Sequence, residues 1–344
     1  MDFLSFIIIC VKVLLVFAGT LLAVLIMVYA ERRVSAFMQG RLGPNRVGPQ
    51  GLLQPIADGI KFLMKEDIIP DGVNKPIYLL APVIMLIPAL MTFAVIPFGS
   101  TITLFDRDII LQVADVNIGI LYILALTSIG VYGIVLAGWA SNSKYTLIGG
   151  LRSSAQLISY ELALGLSVVS IILMSGSLRL NDIVADQQGY FLSWYVFKQP
   201  LAFLIFLIAT YAETNRLPFD LAEAEQELVG GYHTEYSSMK FAMFFMSEYA
   251  NMITAAALTV TLFFGGWDVP LLDEKSLGIW GAMLSVASFI LKMGFFLFLF
   301  IWIRWTFPRF RYDQLMKLGW KVLLPLSLVN IFITGGYLTL AALK

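Results

Sequence analysis

Eight stretches of this 344-residue chain are apolar for about as long as a helix needs to cross a bilayer, and little else can be done with such segments in water. A spanning helix takes about 20 residues. The stretches run 3–29, 77–97, 116–139, 153–174, 198–214, 240–264, 279–303 and 320–343. Composition agrees: 13% of residues are charged and 59% are hydrophobic, where a soluble domain carries about 25% charge. A water-soluble enzyme and a disordered chain are thereby excluded. The 23 basic residues balance 23 acidic ones with no basic block, which excludes a nucleic-acid partner. The first span exceeds a signal-peptide core and no basic segment precedes it, so it is expected to stay as a membrane helix. The expected fold is all-α: one polytopic membrane domain, 1–344, of eight transmembrane helices in contact with lipid.

Lys and Arg orient the bundle. With residue 1 outside, the inside loops 30–76, 140–152, 214–239 and 304–319, with the span ends beside them, hold sixteen basic residues, and the outside holds five. That bias places both termini outside. The two remaining cations, Lys12 and Lys292, fall within spans. No internal repeat is visible, so the related halves of a typical secondary transporter are not apparent.

The longest inside stretch, 30–76, has a structure of its own. Leu52, Leu53, Ile56, Ile60, Leu63 and Met64 recur at helical spacing, with Asp58, Lys61 and Lys65 on the opposite stripe. A segment of 51–66 is too short to span. It reads either as an amphipathic helix lying in the inner interface or as one packed on the bundle. Gly40, Gly43, Pro44, Gly48, Pro49 and Gly51 force an irregular path before it.

Carboxylates occur where they are costly. Glu161 and Glu248 each lie roughly 13 Å into a span from the inside at 1.5 Å per residue, while Glu213 and Glu31 end spans at the inner rim. A carboxylate at mid-span costs about 2.5–3.5 kcal/mol. It must face the bundle interior, and burial disfavours its charged form, which suits proton exchange. The functional reading is a proton relay from rim to midplane. The plainer one is helix packing through hydrogen bonds from Tyr160, Tyr211, Tyr249 or Ser247. Lys292 is either a counter-charge to these glutamates or a structural partner, and Lys12 is equally ambiguous. The third inside loop sets Asp220, Glu223, Glu225, Glu227 and Glu235 against Arg216, with apolar residues between, which points to a docking or proton-conducting loop. One cysteine (Cys10) and one histidine (His233) leave no ligand set for an iron–sulfur cluster or a bis-His haem, so no cofactor or metal is expected on this chain.

Three long motifs resemble one family. The first is ERRVSAFMQGRLGPNRVGP from Glu31 to Pro49, continuing to Asp58 and Lys65-Glu-Asp. The second is GWASNSKY from Gly138, followed by LRSSAQLISYE from Leu151 to Glu161. The third is AETNRLPFDLAEAEQELVGGY from Ala212 to Tyr232, with Ser247-Glu-Tyr-Ala-Asn-Met beyond it. Over nearly its whole length the chain resembles the H-type membrane subunit (mitochondrial subunit 1) family of respiratory complex I, NADH:quinone oxidoreductase.

The resemblance implies a membrane subunit at the junction with the peripheral arm, forming much of a chamber for quinone as substrate. Iron–sulfur clusters and flavin are then held by partner subunits, and adjacent small membrane subunits flank it. The chamber residues it implies are Glu31, Arg32, Arg41, Asp58, Arg216 and Arg304. The implied proton-linking acids are Glu161, Glu213, Glu248, Asp220, Glu223, Glu225 and Glu227. Some members carry a further glutamate in the third span; here 116–139 offers only Asn117, Thr127, Ser128 and Tyr132. The implied location is a bacterial plasma (inner) membrane, or else an organellar inner membrane. Rival readings are the homologous subunit of an energy-converting hydrogenase or plastoquinone-linked complex, and a stand-alone ion transporter.

Overall fold

A computed structural model describes residues 3–104, 107–221, 229–270, 272 and 277–343. Helix α1 (Phe3–Met38) leads into the short amphipathic α2 (Gln54–Met64) and then α3 (Lys75–Met91), whose last turn continues as a 3-10 helix to Val95. A two-stranded antiparallel hairpin follows, β1 (Gly99–Leu104) with β2 (Arg107–Leu111). Then come α4 (Gly119–Ala140) and α5 (Lys144–Ser175). Two short helices, α6 (Leu180–Ala185) and α7 (Tyr195–Lys198), precede α8 (Pro200–Glu213). The chain closes with α9 (Ser238–Phe263), α10 (Ile279–Thr306), α11 (Tyr312–Lys317) and α12 (Leu324–Ala342). A π-helical turn over Leu318–Leu323 joins the last two into one span.

Seven helices among the described residues are long and apolar enough to cross a membrane, and α8 is a shorter apolar helix. The all-α polytopic expectation holds, with the two-stranded hairpin as the one departure among the described residues. The hairpin is seated on α10 by a hydrogen bond from the Ser100 amide to Ser285 Oγ at 2.9 Å. Helix α9 is the central post: 67% of its most apolar window is buried, against 11% for α1 at the edge. Close backbone approach brings the neighbours together. A Cβ on Gly138 would stand 2.6 Å from the Thr146 carbonyl oxygen where α4 meets α5, and one on Gly149 would stand 2.8 Å from Gly231 Cα.

The segment expected as an interfacial helix over 51–66 is helical over Gln54–Met64. Ile56, Ile60, Leu63 and Met64 are exposed, so the apolar stripe is not spent on the bundle. Its C-terminal end is tied down by Ser238 Oγ, which donates toward the carbonyls of Phe62 (2.8 Å) and Lys65 (3.0 Å).

Helix α8 decides the inner half of the molecule. At 14 residues it is roughly 21 Å long, well short of the ~30 Å apolar core of a bilayer, and it ends inside the bundle. The carbonyls left open at such an end need donors. Gln156, fully buried on α5, donates toward the carbonyls of Ala212 (2.8 Å) and Phe219 (2.8 Å) and the Asn215 side chain (3.2 Å). The following residues fold back into the protein: Asn215, Arg216, Phe219, Asp220, Tyr232 and His233 are all buried.

Candidate functional site

The inner end of the bundle is organised around one carboxylate. Glu31, on α1, is 7% exposed and lies where α1, α9 and α10 meet. Arg216 Nη1 donates to both of its oxygens at 3.1 Å, Tyr249 of α9 donates its hydroxyl at 2.8 Å, and Arg304 of α10 completes the cluster. The Arg216 guanidinium also stands 4.4 Å from the Tyr249 ring centroid. Burial works against the Arg216 charge, but Glu31 beside it outweighs burial and raises its pKa above the ordinary value. Two cations on one buried carboxylate leave a local positive excess, offset by nearby Glu248.

This cluster lines a cavity of about 390 Å³, within the usual range for small-molecule sites, about 300–1,000 Å³. Arg32 and Arg41 edge it, Asp220 and Glu248 add negative charge, and Phe245 and Trp305 supply apolar wall. Asp220 is itself paired with Arg309 at 3.2 Å. Asp58 does not line the cavity; it holds Arg32 in place at 2.5 Å, with Lys61 at 3.4 Å. Burial would raise the Asp58 carboxyl, but the hydrogen bond and charge of Arg32 prevail and hold it below the usual carboxylate range. His233 packs edge-on among Tyr232, Phe241 and Phe245, and burial lowers its pKa against the pull of Glu248 and Asp220.

Behind this cavity lie two spaces of about 30 and 20 Å³. A single water needs ~10–15 Å³ of such volume and polar partners. The first is lined by Glu161, Glu213, Thr127 and Asn251, and it shares Asn215 and Glu248 with the large cavity. The second shares Thr127, Glu213 and Asn251 with the first. Glu248 therefore faces both the large cavity and the water-sized one. It is buried and accepts the Tyr232 hydroxyl at 2.9 Å. Glu161 accepts the Ser128 hydroxyl from α4.

The structure thus gathers Glu31, Arg32, Arg41, Arg216 and Arg304 around one cavity, with Asp58 one contact away. Glu161, Glu213 and Glu248 share one interior space. Glu213 is not at the rim as expected. It faces Thr127 and Glu161, and neighbouring Ser128 is 12 residues from the inner end of α4, roughly 18 Å deep. Glu223, Glu225 and Glu227 lie outside the described residues. Lys292 donates to the carbonyls of Phe264 (2.9 Å), Gly266 (3.1 Å) and Asp268 (2.7 Å), just beyond the end of α9. Sequence reasoning passed over Tyr232, Gln156, Asn215 and Asn251. Asn251 alone had a legible signal, being three residues after Glu248 on the same helical face.

The family profile described as NADH dehydrogenase matches residues 11–335. The chain is 58% identical over 335 residues to a protein of Geobacter sulfurreducens named as an H-type NADH-quinone oxidoreductase subunit (form 1), covering 94% of this chain and 93% of that protein. A Koribacter versatilis protein with the same name (form 2) is 54% identical over 96% of both chains. One from Cytophaga hutchinsonii (form 1) is 49% identical over 94% of this chain and 95% of its own length. Bacterial relatives and seven long apolar helices together make this a multi-pass protein of the bacterial plasma membrane. With the match running the length of the chain and through the buried charge cluster, the chain belongs to the H-type subunit family of NADH-quinone oxidoreductase, respiratory complex I.

Proposed function

We propose that the large cavity is the part of a quinone chamber contributed by this subunit, and that Glu248 links it to a proton relay through Glu213 and Glu161. The observation that carries this reading is the adjacency of the spaces: a cavity bearing Arg216, Arg304 and Glu31 shares the lining residues Asn215 and Glu248 with a water-sized one bearing Glu161 and Glu213. Electrons come from cofactors of partner subunits. Reduction of a quinone to quinol takes two electrons and two protons, so charge changes in the chamber as each arrives. Arg216, Arg304, Arg32 and Arg41 supply donors to quinone oxygens and stabilise negative charge as it forms. Glu248, hydrogen-bonded by Tyr232, feels that change at one face and exchanges protons with the small water spaces at the other. The exposed apolar stripe of α2, beside the Arg32–Asp58 pair, supports access for an isoprenoid quinone from the bilayer.

Arg41→Ala is expected to lower electron transfer to a short-tail quinone while leaving transfer to an artificial acceptor that bypasses quinone unchanged. Equal loss with both acceptors would point to failed assembly and sink the assignment. Asp58→Asn frees Arg32, and for a half-exposed pair worth about 0.5–1 kcal/mol the KM for quinone should rise about threefold. The sign of the pH effect follows from the lowered Asp58 pKa. The pair contributes fully above the unfolded carboxyl value, about 3.9, and is lost only as pH falls through the lower folded value. The KM ratio of Asp58→Asn to wild type should therefore stay flat from pH 8 to 5; a ratio collapsing to one within that window contradicts the pairing.

A further inference from the structure

The two small spaces behind the large cavity are lined by polar side chains whose hydrogens are, with one exception, already committed. Thr210 donates to the Leu207 carbonyl at 2.8 Å and Thr214 to the Tyr211 carbonyl at 3.2 Å. Thr127 stands between the Leu124 carbonyl, at 3.0 Å, and Glu213, both of them acceptors. Thr254 and Thr92 are 3.0 Å apart, and Thr92 gives its one hydrogen to the Ala89 carbonyl at 2.8 Å, so Thr254 is the donor between them. Asn215 donates to Ser153 and accepts from Gln156. The three glutamates Glu161, Glu213 and Glu248, when ionised, only accept.

Asn251 is the exception. It follows Glu248 by three residues on α9, so the two share a face. With Glu213 it lines both spaces. Among the described residues its side chain has no hydrogen-bond partner. It is half-buried, while Ala250 and Met252 on either side are buried, so its amide opens onto the two spaces it lines. An amide brings two N–H donors and an acceptor oxygen and carries no charge. Spaces of about 30 and 20 Å³ have room for water, at ~10–15 Å³ for each molecule. Asn251 is thus the side chain with free donors to offer such a water, at the place where both spaces meet Glu213.

We propose that Asn251 is the positioning residue for proton transfer between Glu248 and Glu213, acting by orienting the water between them. An Asn251 N–H donates to the water oxygen and turns the water's own hydrogens toward the carboxylates. The protonated carboxyl then gives its proton to that oxygen while the water gives one of its hydrogens to the other carboxylate. One O–H bond of the water forms as another breaks, so the water leaves the step unchanged. This role presupposes the relay of Glu248 and Glu213 proposed above, so Glu213→Gln is measured beside it. Packing and water positioning rank the variants of Asn251 in opposite orders. Leu has nearly the size of Asn and fills its place, whereas Ala leaves a void, so packing alone favours Leu. For the water, Leu dries the spaces and Ala admits more solvent to them.

The test uses the whole complex reconstituted in proteoliposomes. Four readouts are taken: quinone kcat and KM, transfer to an artificial acceptor that bypasses quinone, proton pumping, and the ratio of kcat in H2O to that in D2O. Asn251→Leu is expected to lower quinone kcat and pumping together by about fivefold or more, the worth of one hydrogen bond in the transfer step. KM and the artificial acceptor stay at wild-type values, and the solvent isotope effect rises. Asn251→Ala loses less than Leu, and Asn251→Ser, which returns a donor and leaves room for water, retains most of the wild-type rate. A loss in Leu no greater than in Ala, an unchanged isotope effect, or a raised KM with unchanged kcat overturns the proposal. If Asn251→Leu fails to assemble on a native gel, Ser against Ala decides, and equal kcat in those two overturns it. Full turnover and pumping in Asn251→Leu beside a loss in Glu213→Gln removes Asn251 from the relay and leaves the relay standing. Full turnover and pumping in both variants removes the two together.

Discussion

Glu31→Ala is expected to abolish quinone-linked turnover and to lower the yield of assembled complex. Glu31 is the one carboxylate hydrogen-bonded by both Arg216 and Arg304, and Arg216 is 7% exposed. Removing one partner of a buried ion pair costs about 3–5 kcal/mol, because the remaining charge is stranded. Replacing a pair by apolar side chains of similar size is often nearly neutral. The double variant Glu31→Leu with Arg216→Met should therefore recover much of the thermal stability lost by Glu31→Ala, without recovering turnover. Arg216→Lys should fall between them, since one ammonium does not reproduce the bridge from Nη1 to both carboxylate oxygens together with stacking on Tyr249. Stability and turnover are read separately, by thermal unfolding of the purified complex and by quinone reduction. A Glu31→Ala complex of wild-type melting temperature and wild-type turnover would remove the cluster from any central role.

Glu213→Gln and Glu248→Gln are expected to leave the complex assembled and to lower quinone turnover and proton pumping together. Gln keeps the size and hydrogen-bonding reach of Glu and deletes only the titrating group. A positioned proton-transfer group contributes about 10²–10⁴ in rate, so a loss of at least about tenfold is expected if the relay carries the flux. Glu248 lines both cavities, so its substitution should have the larger effect. Tyr232→Phe removes the 2.9 Å hydrogen bond to Glu248 at about 1 kcal/mol and should cost about fivefold. Gly149→Ala reaches the same residue from behind: its new Cβ would press on the backbone of Gly231, next to Tyr232, and turnover should drop in step with Tyr232→Phe. Full turnover and full pumping in Glu161→Gln, Glu213→Gln and Glu248→Gln alike would leave these carboxylates as packing groups.

Much of the architecture was legible because a bilayer leaves so few options. The long apolar spans and the amphipathic segment each follow from length and period alone, and the observed helices fall on them. The motif from Glu31 and the one through Glu161 named residues that do converge. The outer hairpin was missed because 99–111 alternates only briefly, and its seat on Ser285 is a contact distant in sequence.

What sequence alone determined is therefore the class of fold, the family and the roster of buried charges. The tertiary structure decided where those charges are. Periodicity assigns a residue to a face of its own helix, but depth depends on where neighbouring helices begin and stop. Helix α8 stops inside the bundle, where Gln156 from another helix donates to its Ala212 carbonyl and to the Phe219 carbonyl of the segment beyond it. That carries Glu213 from the expected rim to the side of Glu161 and turns Arg216 from a loop cation into the partner of Glu31. Likewise only the structure sets Lys292 against three carbonyls beyond the end of α9. Hydrogen-bond satisfaction of buried backbone is a pairwise, long-range condition, and no local pattern encodes it.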